Sequence, residues 1–262
     1  MAGEHTDRDA PRKSKVELDN MGVFAGAKML AEYSGLSDKS AAVMKALFPI
    51  EERVFRKHFP PPPVHVLDLG CGAGRTSCPL VQRGYSVVAG DISPEMIARA
   101  RQLHPHLDFR ILDAVALDLP SGTFDVVLFS FNGLDYVYPF ANRLRALREV
   151  FRVLRPGGLF VYSSHNLLGH FARIRRPLAR HAYYRLRFLY DSLSRPLFQN
   201  YWREKIGSEW LTTYYGIPFR QIRTLRNVGF EFCSLESEKG ERLWPVTWKD
   251  VWPHYVARRP KE

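Results

Sequence analysis

The stretch from Val64 to Ser164 constrains this chain more than any other, because short apolar runs alternate there with helix-like segments. VHVLDL, DVVLF and LFVYS are too continuously apolar for strands with one wet face. They suit strands buried on both sides in a parallel sheet. The rhythm is regular. Val64–Leu69 reads as a strand, Gly70–Gly74 as a turn, then a helix to about Arg83 and a strand over Tyr85–Gly90. A helix over Pro94–Leu103 precedes strand Asp108–Leu112, and Phe124–Phe129 is a fourth strand. Helix Ala141–Leu154, the turn Arg155-Pro156-Gly157-Gly158 and strand Leu159–Ser164 close the run. This alternation predicts an α/β, doubly wound sheet with helices on both faces.

The flanks read differently. The first fifteen or so residues mix both charge signs without an apolar core, which suits a flexible tail and not a signal peptide. From Val16 to Phe59 apolar residues recur at helical spacing (Met29, Leu30, then Ala42, Val43, Ala46, Leu47), predicting two or three helices. Pro60–Pro63 forces an extended entry into the first strand. After Ser164, a helix over Phe219–Asn227 and strands near Glu231–Glu236 and His254–Arg258 finish the chain. Three cysteines, Cys71, Cys78 and Cys233, form no CxxC pair, so neither a disulfide framework nor a structural zinc site is expected. No apolar run approaches the roughly 20 residues of a membrane span. A reducing, cytoplasmic setting without metal follows as the expectation.

The first strand runs into Asp68-Leu69-Gly70-Cys71-Gly72-Ala73-Gly74, and glycines there let a ligand approach main-chain N–H groups at a helix start. A dinucleotide fingerprint would need glycine where Arg75 stands, so the loop alone decides little. Its context adds more. Asp91 lies about twenty residues on, at the end of the next strand, where an acid accepts both ribose hydroxyls. A plain helix-capping role before Ser93-Pro94-Glu95 competes with that reading.

VLDLGCGAGR followed by VVAGDISPEMIARAR resembles the class I S-adenosylmethionine (SAM) methyltransferases of small-molecule type. The likeness continues through FRILDAVALDLP, FDVVLFSFNGLDYV and LREVFRVLRPGGLFVYSSHN, covering Val64 to Asn166. It implies a seven-stranded Rossmann-like sheet whose last strand is antiparallel, and YVARRP is similar to that strand. It further implies SAM as cofactor, with S-adenosylhomocysteine as product. Gly70, Cys71, Gly72 and Gly74 would line its amino-acid end, braced by Asp68. Asp91 would hold the ribose, with Ile92 and Met96 against the adenine. Asp113 would accept from the adenine amino group and Ala114 supply a backbone N–H. Phe129, Ser130 and Phe131 would face the methionine part, and Tyr33 resembles an aromatic that closes over the cofactor. The chain then divides into a tail (1–15), an N-terminal helical region (16–63), a SAM-binding core (64–166), an inserted helical lid (167–215) and a C-terminal part completing the core (216–262).

Methyl transfer from a sulfonium asks mainly for alignment, worth about 7–11 kcal/mol. A hydroxyl acceptor also gains roughly 10²–10⁴-fold from a general base. His165, at the end of the fifth strand, is the candidate base, against an equal reading in which it only braces the lid. Asn132 could orient a substrate or simply turn the chain.

Lys and Arg outnumber Asp and Glu by 38 to 27, and the excess is local. Between Asn166 and Trp210 eight Arg and one Lys face Asp191, Glu204 and Glu209. This segment is also rich in aromatics, and Leu186, Leu189, Leu193 and Leu197 recur at helical spacing. As a lid it would offer Tyr183, Tyr184, Tyr214 and Tyr215 to a substrate pocket. Arg173, Arg175 and Arg176 suit a phosphate, a carboxylate or an anionic membrane surface. A small-molecule acceptor is the leading expectation. The alternatives are an RNA or DNA methyltransferase using the basic lid, or a non-catalytic SAM-binding subunit at a membrane. Ser130-Phe131-Asn132-Gly133 departs from the Asp/Asn-Pro-Pro-aromatic motif of exocyclic base methylation, which argues against nucleic acid.

Overall fold

The computed structural model describes residues 13–26, 47–173, 200–206, 209–237 and 250–261. Seven strands form its central sheet. They are β1 (His65–Leu69), β2 (Ser86–Asp91), β3 (Asp108–Ile111), β4 (Phe124–Phe129), β5 (Leu154–Ser163), β8 (Glu231–Glu236) and β9 (His254–Arg258). Their spatial order is β3-β2-β1-β4-β5-β9-β8. β1 to β5 pair in parallel, whereas β9 runs antiparallel to both β5 and β8. The last of these strands in sequence is thus inserted one place from the edge, and it alone among the described strands of the sheet opposes the rest.

The continuous apolar runs have the expected cause. Successive side chains point to opposite faces, and both faces are covered. Val66, Val126, Leu128, Val161 and Val256 pack on one side with Ile50, Val54, Phe55 and Phe59 of the α2 segment (helix Pro49–His58 and its cap) and Leu80 of α3 (Ser77–Gln82). Leu67, Leu69, Phe160, Tyr162 and Tyr255 pack on the other with Leu147 and Val150 of α5 (Phe140–Val153) and Leu225 of α7 (Pro218–Val228). Helix α4 (Pro94–Leu103) adds Ile97 and Ala100 against Ala89 and Phe109 near the β3 edge. Tyr162 stacks on Phe160 and on Tyr255 at centroid distances of 4.9 and 4.8 Å, which locks β5 to β9.

One expectation is corrected. Tyr201–Ile206 and Glu209–Tyr214, placed in a helical lid, form an antiparallel hairpin, β6 and β7. Tyr201 and Leu211–Tyr214 are buried there. The physical reason is local. Aromatic and β-branched residues such as Tyr201, Thr212, Thr213 and Tyr214 favour a pleated, packed surface. Helix α1 (Lys15–Ala25) lies against β7, and Asn20 fixes it by donating to Thr212 O (2.9 Å) and Tyr136 O (3.0 Å) and accepting from Thr212 N (2.7 Å). The expected leucine-rich helix around Leu186–Leu197 lies outside the described residues. Among the described residues no helix is long and apolar enough to cross a membrane.

Candidate cofactor and acceptor site

Register sets the site. Leu69 lies opposite Gly90 and Asp68 opposite Leu128, so the carboxyl ends of β1, β2 and β4 open side by side. A cleft of about 1290 Å³, open mouth included, forms there. Gly70, Cys71, Gly72, Asp91, Ile92, Met96, Asp113, Ala114, Phe129, Ser130 and Phe131 all line it. The opposite wall comes from α1 (Glu17, Asn20, Met21 and Phe24) and from Tyr136–Tyr138.

Local chemistry explains the shape. Gly70 has φ +63°, and a Cβ on it would stand 2.8 Å from the Phe129 ring, so the loop crosses the end of β4 only with hydrogen there. Asp91 accepts from Gly72 N and Ser93 N at 2.9 Å each, which ties the loop to the end of β2. Burial pushes its carboxyl up, against these main-chain donors. The helix cap itself is Ser93, whose Oγ accepts from Met96 N at 3.2 Å, so Asp91 is not the capping residue. Asp68 braces the loop from below, accepting from Thr76 Oγ1 (2.6 Å) and Ser77 Oγ (2.7 Å). Its burial, with Oδ1 lacking a partner, raises its pKa to about 6. Cys71 is buried and its thiol is pushed well up by desolvation and by Asp91, so it is no thiolate. Asp113 accepts from Val115 N at 3.0 Å and pairs with Lys13.

At the far end of the cleft the chain turns through two left-handed non-glycine residues, Phe131 (φ 50°) and Asn132 (φ 62°). Such strain persists only where surroundings hold it. Here Asn132 N donates to Ser163 Oγ at 2.8 Å, and Ser130 Oγ donates to Glu51. Glu51 is buried and accepts from both Arg75 guanidinium NH₂ groups, at 2.6 and 2.7 Å. Burial opposes its ionisation, but Arg75 and Ser130 hold its carboxyl below the usual range. The Arg75 guanidinium also lies 4.3 Å from the Phe48 ring centroid.

His165 sits just past the end of β5, one aromatic ring behind the cleft wall. Its ring meets Tyr136 and Trp252 edge-on, each at 6.3 Å, and Tyr215 at 5.0 Å. Its Nδ1 lies 2.9 Å from Asp135 Oδ2. Tyr215 therefore packs on His165 and does not line the cleft. Tyr214 is buried under Arg143, 4.4 Å from its ring centroid, and packs on Phe140, so it too stands away from the cleft. Asn132 and Gly74 also lie off the lining. Tyr33, Tyr183 and Tyr184 are outside the described residues, as is the side chain of Arg173, which ends α6 (Leu167–Arg173).

Glu51, Asp135, Arg143 and the α1 wall escape a reading of the sequence. Arg143 leaves a signal, since it falls on the buried stripe of Ala146, Leu147 and Val150, where a charge needs a partner. Asp135 leaves none.

Strand order, the glycine turn and an acid closing β2 define a Rossmann-like methyltransferase domain. Residues 66–158 match the family described as a methyltransferase domain. A demethylmenaquinone methyltransferase of Beutenbergia cavernae is 41% identical over 103 residues, 39% of this chain and 41% of that protein. A phosphatidylethanolamine N-methyltransferase of Cereibacter sphaeroides is 40% identical over 120 residues, 44% of this chain and 54% of that protein. The matched segment therefore spans about half or less of these relatives' length. The crystal structure of a SAM-dependent methyltransferase from Methanosarcina mazei superposes with a TM-score of 0.63 at 22% identity, covering 83% of this chain and all of that one (100%). Residues 66–158 are thus similar to a methyltransferase domain, and the sheet shares the fold of the Methanosarcina mazei structure.

Proposed function

We propose that this protein transfers a methyl group from SAM to an oxygen, nitrogen or carbon atom of a small molecule by in-line displacement. The observation that carries the reading is the cleft at the ends of β1, β2 and β4, where the glycine loop, Asp91 and Asp113 face one space. The donor set fits the cofactor. Gly72 has open space where a Cβ would stand, and Asp91 presents a carboxylate suited to a ribose diol. Ile92 and Met96 offer an apolar wall to a flat base. Asp113 and the N–H of Ala114 suit the adenine edge, Gly70 and Cys71 the amino-acid end, and Phe129, Ser130 and Phe131 the methionine part. When bound, SAM supplies an electrophilic methyl on a sulfonium. What the chain contributes is orientation and exclusion of water, since α1 and Tyr136–Tyr138 close the side opposite the loop. His165, the expected base, stands behind Tyr136 and off the cleft lining, and is assigned no step in this reading. The names of the two relatives give small-molecule acceptors, which supports the same class for this chain. Incubation with labelled SAM and a cell extract, followed by filtration, tests it. Label in the small-molecule fraction is the expected result. Label retained by the filter and released by nuclease overturns the acceptor class, and absence of transfer overturns the activity.

A further inference from the structure

We propose that the acceptor is an uncharged aromatic ring, held in the corner where Phe24 of α1 meets Tyr136 at the β5 side of the cleft. The proposal rests on the methyl-transfer reading above and narrows its acceptor.

The residues suited to the cofactor follow the ends of β1, β2, β3 and β4. Helix α1 starts beside them, where Lys13, just before it, pairs with Asp113. Its 11 residues span roughly 16 Å, and Phe24, near the other end, reaches Tyr136. The two rings meet at a centroid distance of 4.8 Å with 70° between their planes. Tyr136 meets in turn the ring of His165, which follows the end of β5. Both corner rings line the cleft, away from the Asp113 end. That position leaves the corner to the acceptor.

The corner is stiff because the chain behind it is stitched in place. Three consecutive carbonyls each accept from a different element. Tyr136 O takes Asn20 Nδ2 of α1 at 3.0 Å, Val137 O takes the Tyr201 hydroxyl of β6 at 2.6 Å, and Tyr138 O takes Asn142 Nδ2 of α5 at 3.1 Å. Asn20 is buried and its Nδ2 also donates to Thr212 O, so α1, the hairpin and Tyr136 are fixed at one point. A wall ordered in advance spares a flat ligand much of the ordering cost. Rings set nearly at right angles offer a face and an edge, the two geometries in which a third ring packs well. A sugar would set its hydroxyls against these rings largely unpaired.

Charge sets a second limit. Among the described residues that line the cleft, the cations are Lys13 and Arg75, and each is already paired, with Asp113 and with Glu51. Glu17, one turn before Met21 on the same wall, adds a carboxylate held by Ser14 N at 2.7 Å and Asn142 Nδ2 at 2.8 Å. An acceptor bearing a carboxylate or phosphate would face this acid with both cations taken. An alkylammonium would suit Glu17, but in that form its nitrogen has no lone pair to receive a methyl group. The step served is the one proposed above. An oxygen, nitrogen or ring carbon of the bound acceptor bonds to the methyl carbon, the S–CH₃ bond breaks with its electron pair on sulfur, and the acceptor's proton passes to water.

The test is kcat and KM for methyl transfer to a panel of acceptors, with SAM Kd measured separately by calorimetry. The panel is catechol, indole, 1,4-dihydroxynaphthalene kept reduced, the same naphthalene bearing a 2-carboxylate, glucose, and phosphatidylethanolamine vesicles. We expect transfer to at least one uncharged aromatic and none to glucose or the vesicles. The carboxylated naphthalene should fall at least about tenfold below its uncharged counterpart in kcat/KM, since it brings like charges together. Phe24→Leu and Tyr136→Leu keep apolar bulk but remove a ring. Each should raise KM for the aromatic about two- to tenfold, while SAM Kd moves by no more than about twofold. A merely stabilising corner would lower Tm and leave KM of the folded protein where it was. The wild-type panel needs no variant to fold. A wild type that binds SAM but methylates no uncharged aromatic, or prefers the carboxylated ring, overturns the proposal. So do wild-type KM values in both leucine variants. Failure of the wild type to bind SAM sinks the methyl-transfer reading first, and is distinguishable from all of these.

Discussion

The carboxylate of Asp91 and the main-chain N–H of Gly72 meet at 2.9 Å, so the end of β2 clasps the loop that leaves β1. One acid therefore shapes the glycine loop and stands ready for a ligand diol beside it. Asp91→Ala removes a charged acceptor of two N–H groups, each worth about 1.5–3 kcal/mol when the partner is charged. SAM affinity should fall at least about tenfold by calorimetry, the loss of one such bond. A Kd unchanged within twofold would remove Asp91 from the binding site.

Gly70 and Gly72 separate loop stability from ligand fit. Both have positive φ, +63° and +55°, but only Gly70 would drive a Cβ into Phe129, at 2.8 Å. Gly70→Ala should cost backbone strain of about 1–2 kcal/mol plus the displaced ring, lowering Tm. Gly72→Ala bears the backbone cost alone yet places a methyl in the cleft. Its Tm should fall less and its SAM affinity more than its stability loss accounts for. Equal Tm losses would contradict this division.

Asp68 gives a pH dependence of definite sign. Its folded pKa, about 6, lies above the ordinary 3.8 because of burial. Between roughly pH 4 and 6 the folded state binds the extra proton, so stability must fall as pH rises through that window. The span of about two units corresponds to at most about 3 kcal/mol. Urea unfolding of Asp68→Asn, whose amide oxygen still accepts from Thr76 and Ser77, should show a flatter profile over this range. Identical profiles for wild type and variant would assign the slope elsewhere.

The core is legible in the sequence because its chemistry is local. VHVLDL, DVVLF and LFVYS declare strands covered on both faces, and the glycine turn with Asp91 at its correct distance declares the cleft between them. Two things are not legible. The leucine spacing upstream draws Tyr201–Tyr214 into a helical lid, although Gly207-Ser208 between two runs bearing aromatics is itself a two-residue hairpin signal. The Asp135–Arg143 pair stays hidden because burial of an acid in a loop is a long-range event. No spacing marks Asp135 out from the other acids, and only Arg143 on an apolar stripe hints at it.

That pair predicts a large asymmetry. Arg143 and Asp135 are both fully buried, so Arg143→Met leaves an uncompensated carboxylate, which costs about 3–5 kcal/mol. A loss near 1 kcal/mol shifts Tm by roughly 2–4 °C at this chain length, so a fall of roughly 10 °C is expected by calorimetry. Arg75→Met should behave likewise through Glu51, whose carboxylate it holds from both nitrogens. A fall of only a degree or two would mean that Asp135 and Glu51 find other donors.

Lys13 predicts an effect of the opposite sign. It stands just before α1 and pairs with Asp113, the carboxylate assigned to the adenine edge. Both side chains keep about a third of their exposure, 30% and 33%, so the pair is a screened one worth at most about 1 kcal/mol. An adenine amino group drawn to Asp113 must share it with, or displace, this ammonium. Lys13→Ala should therefore tighten SAM binding by up to about fivefold, the equivalent of such a pair, whereas Asp113→Ala weakens it. The advantage of Lys13→Ala should shrink as salt rises, because screening already loosens the wild-type pair. Weaker SAM binding in Lys13→Ala would instead make Lys13 a ligand contact and α1 a clamp that the cofactor draws shut.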